Sequence, residues 1–291
     1  MLRADLAAES FPDSRTPFLS AGGIQPPARA RPMGSTSEQS LRRTAHEIFE
    51  HVEHSAHAEL RRSTRALAFS GLAGGFSMGL SGLAVAAATV ALGNVPARDF
   101  IANMFYPLGF IAVIIGRAQL FTENTLYPVA LILDERRHFA DTARLWSVVF
   151  LCNVTGASGF SLLASHTQAL REPVRDVLLE LGMAAAQGTV LHIFWSGVIG
   201  GWLIALVAWM VTASHWTIGQ IAVIWLLTFI VGVGHFAHCI AGTGEILSAV
   251  FGGVVSFGRY GQWLALATAG NILGGVMIVT VLNFGQVKAE T

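Results

Sequence analysis

The chain has 291 residues, 53% of them hydrophobic and 12% charged, with 31 glycines and a mean hydropathy of +0.57. A soluble domain carries about 25% charged residues, so an ordinary soluble enzyme, a nucleic-acid binder and a disordered chain are excluded in favour of a polytopic membrane protein. The formal net charge is zero, which supplies no bulk field toward an anionic partner, and Lys288 is the only lysine among 18 basic residues.

Residues 1–36 carry Pro, Ser and Arg but no long apolar core, so a disordered cytoplasmic tail is predicted and a secretion signal is not. Residues 37–65 read as a polar helix. Ile48, Phe49 and Val52 make a thin apolar stripe, so this helix is expected at the membrane surface or against a cytoplasmic face. His46, His51, His54 and His57 crowd here, and the last three recur every third residue. They read as a solvated helix face, and neither a metal site nor a cofactor is assigned.

Apolar stretches follow over residues 66–92, 100–133, 145–165, 190–213, 218–251 and 262–282. A bilayer takes about 20 residues per helix, so six passes are predicted within a pore domain of residues 66–283, with residues 284–291 as a cytoplasmic tail. The second and fifth stretches are overlong, and both are interrupted. Arg117, Gln119, Thr122, Glu123 and Asn124 crowd the second; His235, His238, Cys239, Gly242, Thr243, Gly244 and Glu245 crowd the fifth. Ionisable groups and non-helical backbone survive at membrane depth only inside protein or around an aqueous cavity. Breaks at matching places in two three-helix halves predict an inverted repeat with the substrate path at the breaks. External loops between short helices are the weaker alternative.

Nine arginines precede Ala66, and Arg136, Arg137, Arg144 and Lys288 fall on the same side of a six-pass chain. Only Arg98, Arg171, Arg175 and Arg259 fall on the other, which predicts both termini in the cytoplasm of a cell with this protein in its inner membrane. Glycines four apart (Gly71, Gly75, Gly79; Gly197, Gly201; Gly270, Gly274) predict close helix packing. Cys152 and Cys239 are too few for a disulfide framework and read as small buried side chains. There is no nucleophile motif, so an enzyme is not predicted. His235 reads as a core residue behind His238.

Five segments, in order, resemble the formate/nitrite transporter family. Tyr106-Pro-Leu-Gly-Phe with Ala118-Gln-Leu-Phe-Thr-Glu-Asn is similar to its broken second helix, and Asn153-Val-Thr-Gly-Ala to its third. The run from Phe194 to Met210 resembles the fourth helix, Phe236-Ala-His-Cys-Ile-Ala-Gly the fifth and Gly270-Asn-Ile-Leu-Gly-Gly the sixth. The resemblance implies an aquaporin-like all-α fold, a homopentamer with one pore per protomer, and passage of small monovalent anions such as formate or nitrite, or of their neutral acids with protons. It also implies roles: His238 as the central pore histidine, Leu120 and Phe121 as an apolar constriction with Thr122 beside them, and Tyr106, Phe110 and Val231 along the path. A bare anion is costly to desolvate in such a slot, whereas a histidine can lend a proton.

The departures are as specific. The family's lysine before the fourth helix is replaced by Met183-Ala-Ala-Ala-Gln-Gly, its second-helix Glu by Gln119, and the residue before the central histidine is Ala237. Gly201 and Gly242 stand where the family has Asn. Glu123, Glu180, Glu245 and Arg117 are the candidate vestibule charges. Two other readings follow: the same fold passing a neutral or cationic solute, and a closed scaffold or sensor whose tail binds a partner.

Overall fold

A computed structural model of the protein describes residues 43–290; the predicted tail of residues 1–36, and residues 37–42, lie outside them. The described chain is helical, with no strand. The first helix, α1 (Ala45–Leu60), starts in a capping box: Thr44 Oγ1 accepts from the Glu47 amide, and the Glu47 carboxylate accepts from the Thr44 amide at 2.7 Å. The stripe of Ile48, Phe49 and Val52 extends through Ala56 and Leu60 and is buried. It packs on protein, with Leu126, Ala130, Trp209 and Val287 in the same apolar cluster and the Phe49 and Phe284 rings 5.7 Å apart. Arg144 then donates to the Leu60 and Arg62 carbonyls at 2.6 and 3.0 Å, which satisfies backbone left open where α1 turns into the next helix.

The first, third and fourth passes are single helices: α2 (Thr64–Leu92), α6 (Phe139–His166) and α8 (Val190–Ala213). The last is α11 (Phe257–Leu273), which runs through a π-helical stretch, Gly274–Val281, into α12 (Leu282–Glu290). The predicted C-terminal tail is thus helical to Glu290. The second pass is broken into α3 (Arg98–Asn103), α4 (Leu108–Ile115), one tight turn at Glu123–Thr125 and α5 (Tyr127–Glu135); the fifth into α9 (Thr217–Val233) and α10 (Ala241–Phe251). Among the described residues, five helical stretches are long and apolar enough to cross a membrane, and α9 is a shorter apolar helix that α10 extends. The exposed Phe69, Leu151, Leu191 and Ile218 give the outer surface the apolar character a bilayer requires.

A seventh helical element, α7 (Glu172–Ala186), lies between the third and fourth passes. The sequence reading did not pick it out. It is the repeat partner of α1: each precedes a helix capped by a hydroxyl, Ser63 for α2 and Thr189 for α8. Each also packs on the last piece of a broken helix, α1 on α5 and α7 on α10. The two halves are intertwined. Helix α2 runs along α6 and α8 along α11, while α10 of the second half packs on α2 and α6 of the first as well as on its own α7.

Candidate functional site

The two breaks are built alike. Gly116 closes α4 and Gly234 closes α9, and each is followed by a residue in left-handed backbone, Arg117 at φ 58° and His235 at φ 50°. Such residues carry strain of order 1–3 kcal/mol and persist where the surroundings hold them. Here the holder is an asparagine from the next helix but one in the bundle. Asn153 donates to the Gly71 and Gln119 carbonyls at 2.7 and 2.9 Å and accepts from the Phe121 amide at 2.9 Å. Asn271 donates to the Gly197 and Ala237 carbonyls at 2.7 and 2.8 Å and accepts from the Cys239 amide at 2.9 Å. Ser70 and Ser196 accept from the Gln119 and Ala237 amides at 3.1 and 2.9 Å. A helix interruption leaves backbone donors and acceptors open, and this pair of staples satisfies them away from water. Neither asparagine was assigned this role from the sequence. The signal was present as a repeat: Ser70-Gly-Leu-Ala-Gly-Gly against Ser196-Gly-Val-Ile-Gly-Gly, and Asn153-Val-Thr-Gly against Asn271-Ile-Leu-Gly.

The same correspondence sets Leu120 opposite His238. Both are buried where the breaks meet. His238 Nδ1 accepts from the Ala241 amide at 3.1 Å, so the ring proton of the neutral imidazole lies on Nε2, which donates to Thr122 Oγ1 at 2.7 Å. The Thr122 hydroxyl keeps its own proton to offer. The Phe110 ring stands edge-on to His238 with centroids 5.0 Å apart, and Tyr106 lies beyond it at 5.7 Å from Phe110. Phe121 is packed between Trp146 and Phe150. Phe110, Leu120, Phe121 and Thr122 are all buried, and none lines a cavity described below.

Two cavities of about 260 Å³ each approach these buried residues. The one on the α1 side is walled by His54, Ala58 and Glu59 of α1 and reaches Arg117, Gln119, Glu123 and Asn124. The one on the α7 side is walled by Leu181 and Ala185 of α7 and reaches Tyr106, Val231, His238 and Glu245. His192 and His235 also line it. His235 is therefore a wall residue of this cavity, exposed to it, and not a core residue. Of the candidate vestibule charges, Arg117 and Glu123 share one cavity and Glu245 lines the other. Glu180 is exposed on α7 and lines neither.

Six passes with paired half-helices, and a cavity on either side of the buried residues where the breaks meet, define a multi-pass membrane protein built on broken helices. Comparison with known proteins gives the family. Residues 46–285 match the formate/nitrite transporter family, to which the chain belongs. It is 35% identical over 256 residues to inner membrane protein YfdC of Escherichia coli K12, covering 87% of this chain and 82% of that one. A probable formate transporter of Methanothermobacter thermautotrophicus is 30% identical over 61% of this chain and 71% of its own length. Among solved structures, an FNT family ion channel superposes with a TM-score of 0.74 at 18% identity, covering 82% of this chain and 98% of that one. A pentameric formate channel with formate bound superposes at 0.65, also at 18% identity, over 77% and 97%.

Proposed function

We propose that the chain is a channel or proton-coupled transporter for a small monovalent anion of the formate or nitrite kind, passing His238 as the neutral acid. The carrying observation is the Nε2–H of His238, at the inner end of the α7-side cavity, bonded to the buried Thr122 hydroxyl. Those two donors are the polar groups an oxyanion meets after leaving water, and aromatic and leucine side chains surround them. Charge in such a slot is heavily penalised, so a weak acid that takes its proton from the water at the cavity mouth crosses more readily than its anion, with the His238 Nε2–H and the Thr122 hydroxyl as its hydrogen-bond partners. Leu120, Phe121 and Phe110 form the constriction in this reading, and Tyr106 and Val231 line the approach. His192 and His235 line the far mouth, on the side where the family's lysine is missing.

The relatives' names support this assignment: a probable formate transporter, and a nitrite transporter of Salmonella typhimurium LT2 that is 25% identical over 191 residues. The match to a pentameric formate channel supports a homopentamer, with the exposed apolar surface shared between lipid and neighbouring protomers. The arginine distribution supports cytoplasmic termini, and the relatedness to an inner membrane protein supports that membrane. Glu123 and Glu245 in the cavities favour a cationic cargo as the competing reading.

Uptake of labelled formate, labelled nitrite and methylammonium into proteoliposomes, under imposed pH gradients, separates these. Formate or nitrite uptake that rises with an inward proton gradient and is lost in His238→Ala is the expected result. Methylammonium uptake without anion uptake overturns the assignment in favour of the cation. No uptake of any of the three, with His238→Ala indistinguishable from wild type, leaves a scaffold.

A further inference from the structure

The histidines of α1 were read as a solvated face, but one of them meets two groups 78 and 81 residues further along the chain. His57 Nε2 lies 2.8 Å from Glu135 Oε1, and His138 Nε2 lies 3.0 Å from Glu135 Oε2. The two imidazoles stand edge to face at 89°, with centroids 5.7 Å apart. One ligand atom from each of the three residues can be chosen so that all lie within 4.8 Å of one another. The turn that delivers them is unusual, because Arg136 at φ 54° and His138 at φ 72° both take left-handed backbone around the end of α5. That geometry folds His138 back onto Glu135.

We propose that His57, Glu135 and His138 form a transition-metal site of the zinc class that clasps α1 to the turn between α5 and α6. Two imidazoles and one carboxylate are a zinc ligand set. Bonds of about 2.0–2.1 Å in a tetrahedron place ligand atoms about 3.3–3.5 Å apart, so the three groups need only small rotations to close on one ion. Their side chains are 32, 20 and 21% exposed in chain order, which admits the ion and a water as fourth ligand. Asp141 Oδ2 lies 3.8 Å from His138 Nδ1, where a second carboxylate orients a metal-bound imidazole. Arg137 Nε sits on Glu135 Oε2 at 2.5 Å and is the cation the metal must displace; its side chain is 68% exposed and free to swing into solvent. Without metal, the two histidines and Arg137 all serve Glu135 as hydrogen-bond donors, and that arrangement is the competing account of the cluster.

The position gives the clasp a consequence. His54 and Ala58, one turn before and one residue after His57, wall the cavity on the α1 side. Fixing His57 fixes that wall, so metal occupancy sets how firmly α1 stands beside the mouth. The binding of metal is independent of what the pore carries.

The test uses the untagged full chain in detergent, stripped with a chelator and titrated with zinc against a chromophoric competitor. One zinc per protomer is expected, with affinity falling about tenfold or more in His57→Ala and in His138→Ala, and unchanged in His51→Ala with His54→Ala. Glu135→Gln keeps the size of the side chain and removes its charge, so weakened zinc in that variant, eluting as wild type does, guards against misfolding as the cause. Zinc should also slow amide exchange across Ala45–Leu60 in the wild type and not in His57→Ala. Zinc affinity unchanged in the His57→Ala, His138→Ala double variant overturns the proposal, as does an equal loss in the His51, His54 control.

Discussion

At the scale of single residues, the His238–Thr122 pair is the feature on which the transport reading turns. The bond is short, buried and directed by the backbone, since the Ala241 amide forces the imidazole proton onto Nε2. Thr122→Val keeps the shape and removes the acceptor. An orphaned donor in a dry site costs about 1–3 kcal/mol, and each 1.4 kcal/mol is about tenfold in rate. Formate uptake in Thr122→Val is therefore expected to fall roughly ten- to hundredfold, with Thr122→Ser close to wild type. Equal uptake in Val and Ser variants would show that the hydroxyl takes no part. His235 carries the lesson of this scale. Its spacing from His238 resembles that of a core neighbour on the same helix, but the helix has already ended at Gly234, and the left-handed turn aims it into a cavity.

At the scale of elements, the breaks depend on Asn153 and Asn271 far more than on the residues inside them. Each asparagine makes three hydrogen bonds to backbone that has no water to turn to. Replacing either by Ala should lower stability by about 2–5 kcal/mol, seen as a reduced unfolding temperature in detergent, and the two variants should resemble each other because the two staples do. The helix crossings set a second expectation. A Cβ on Gly75 or Gly201 would overlap the backbone carbonyl of Asn153 or Asn271, whereas one on Gly285 meets nothing. Gly201→Ala should lose about 1–3 kcal/mol, and Gly285→Ala should be neutral or slightly stabilising. No loss at Gly201, or a gain matching that at Gly285, would show that helix propensity, not close packing, governs these glycines. The missed helix α7 also belongs here: it is short and amphipathic, with Pro173 in its first turn, and a hydropathy reading tuned to spans of 20 residues passes over it.

At the scale of the molecule, α1 and its partner α7 frame the two cavities, so the attachment of α1 matters to the whole. Two carboxylates at that attachment titrate in opposite senses. Burial, with Asp134 alongside, pushes Glu53 up to about 7, while Arg137 foremost, then the histidine bonds, holds Glu135 at about 2. A raised carboxyl binds its proton more tightly when α1 is docked, so its contribution is present in acid and is lost as pH rises from about 4.5 to 7. A depressed carboxyl contributes above about 4.5 and loses that contribution as pH falls toward 2. The other charges on this face are Asp134 and Lys288, paired at 2.6 Å. Amide exchange across α1, corrected for its intrinsic pH dependence, should therefore speed up between pH 5 and 8, and Glu53→Gln should flatten that rise. A wild-type profile already flat would remove Glu53 from the attachment.

The sequence by itself determined that this is a membrane protein with six passes, that the second and fifth are broken, and which residues stand at the breaks. Those are local properties: apolar run length, and polar groups placed where a bilayer tolerates them only inside protein. It also carried the family, through motifs whose order survives divergence. Tertiary structure alone decided which distant groups meet. Asn153 reaches Gln119 and Phe121, Thr122 reaches His238 across 116 residues, and His57 finds Glu135 and His138. It also decided that Glu180 stays outside both cavities while His192 and His235 line one. Periodicity records which face of a helix is apolar, but not what covers it; that follows only when two inverted halves interlock and each supplies the walls of the other.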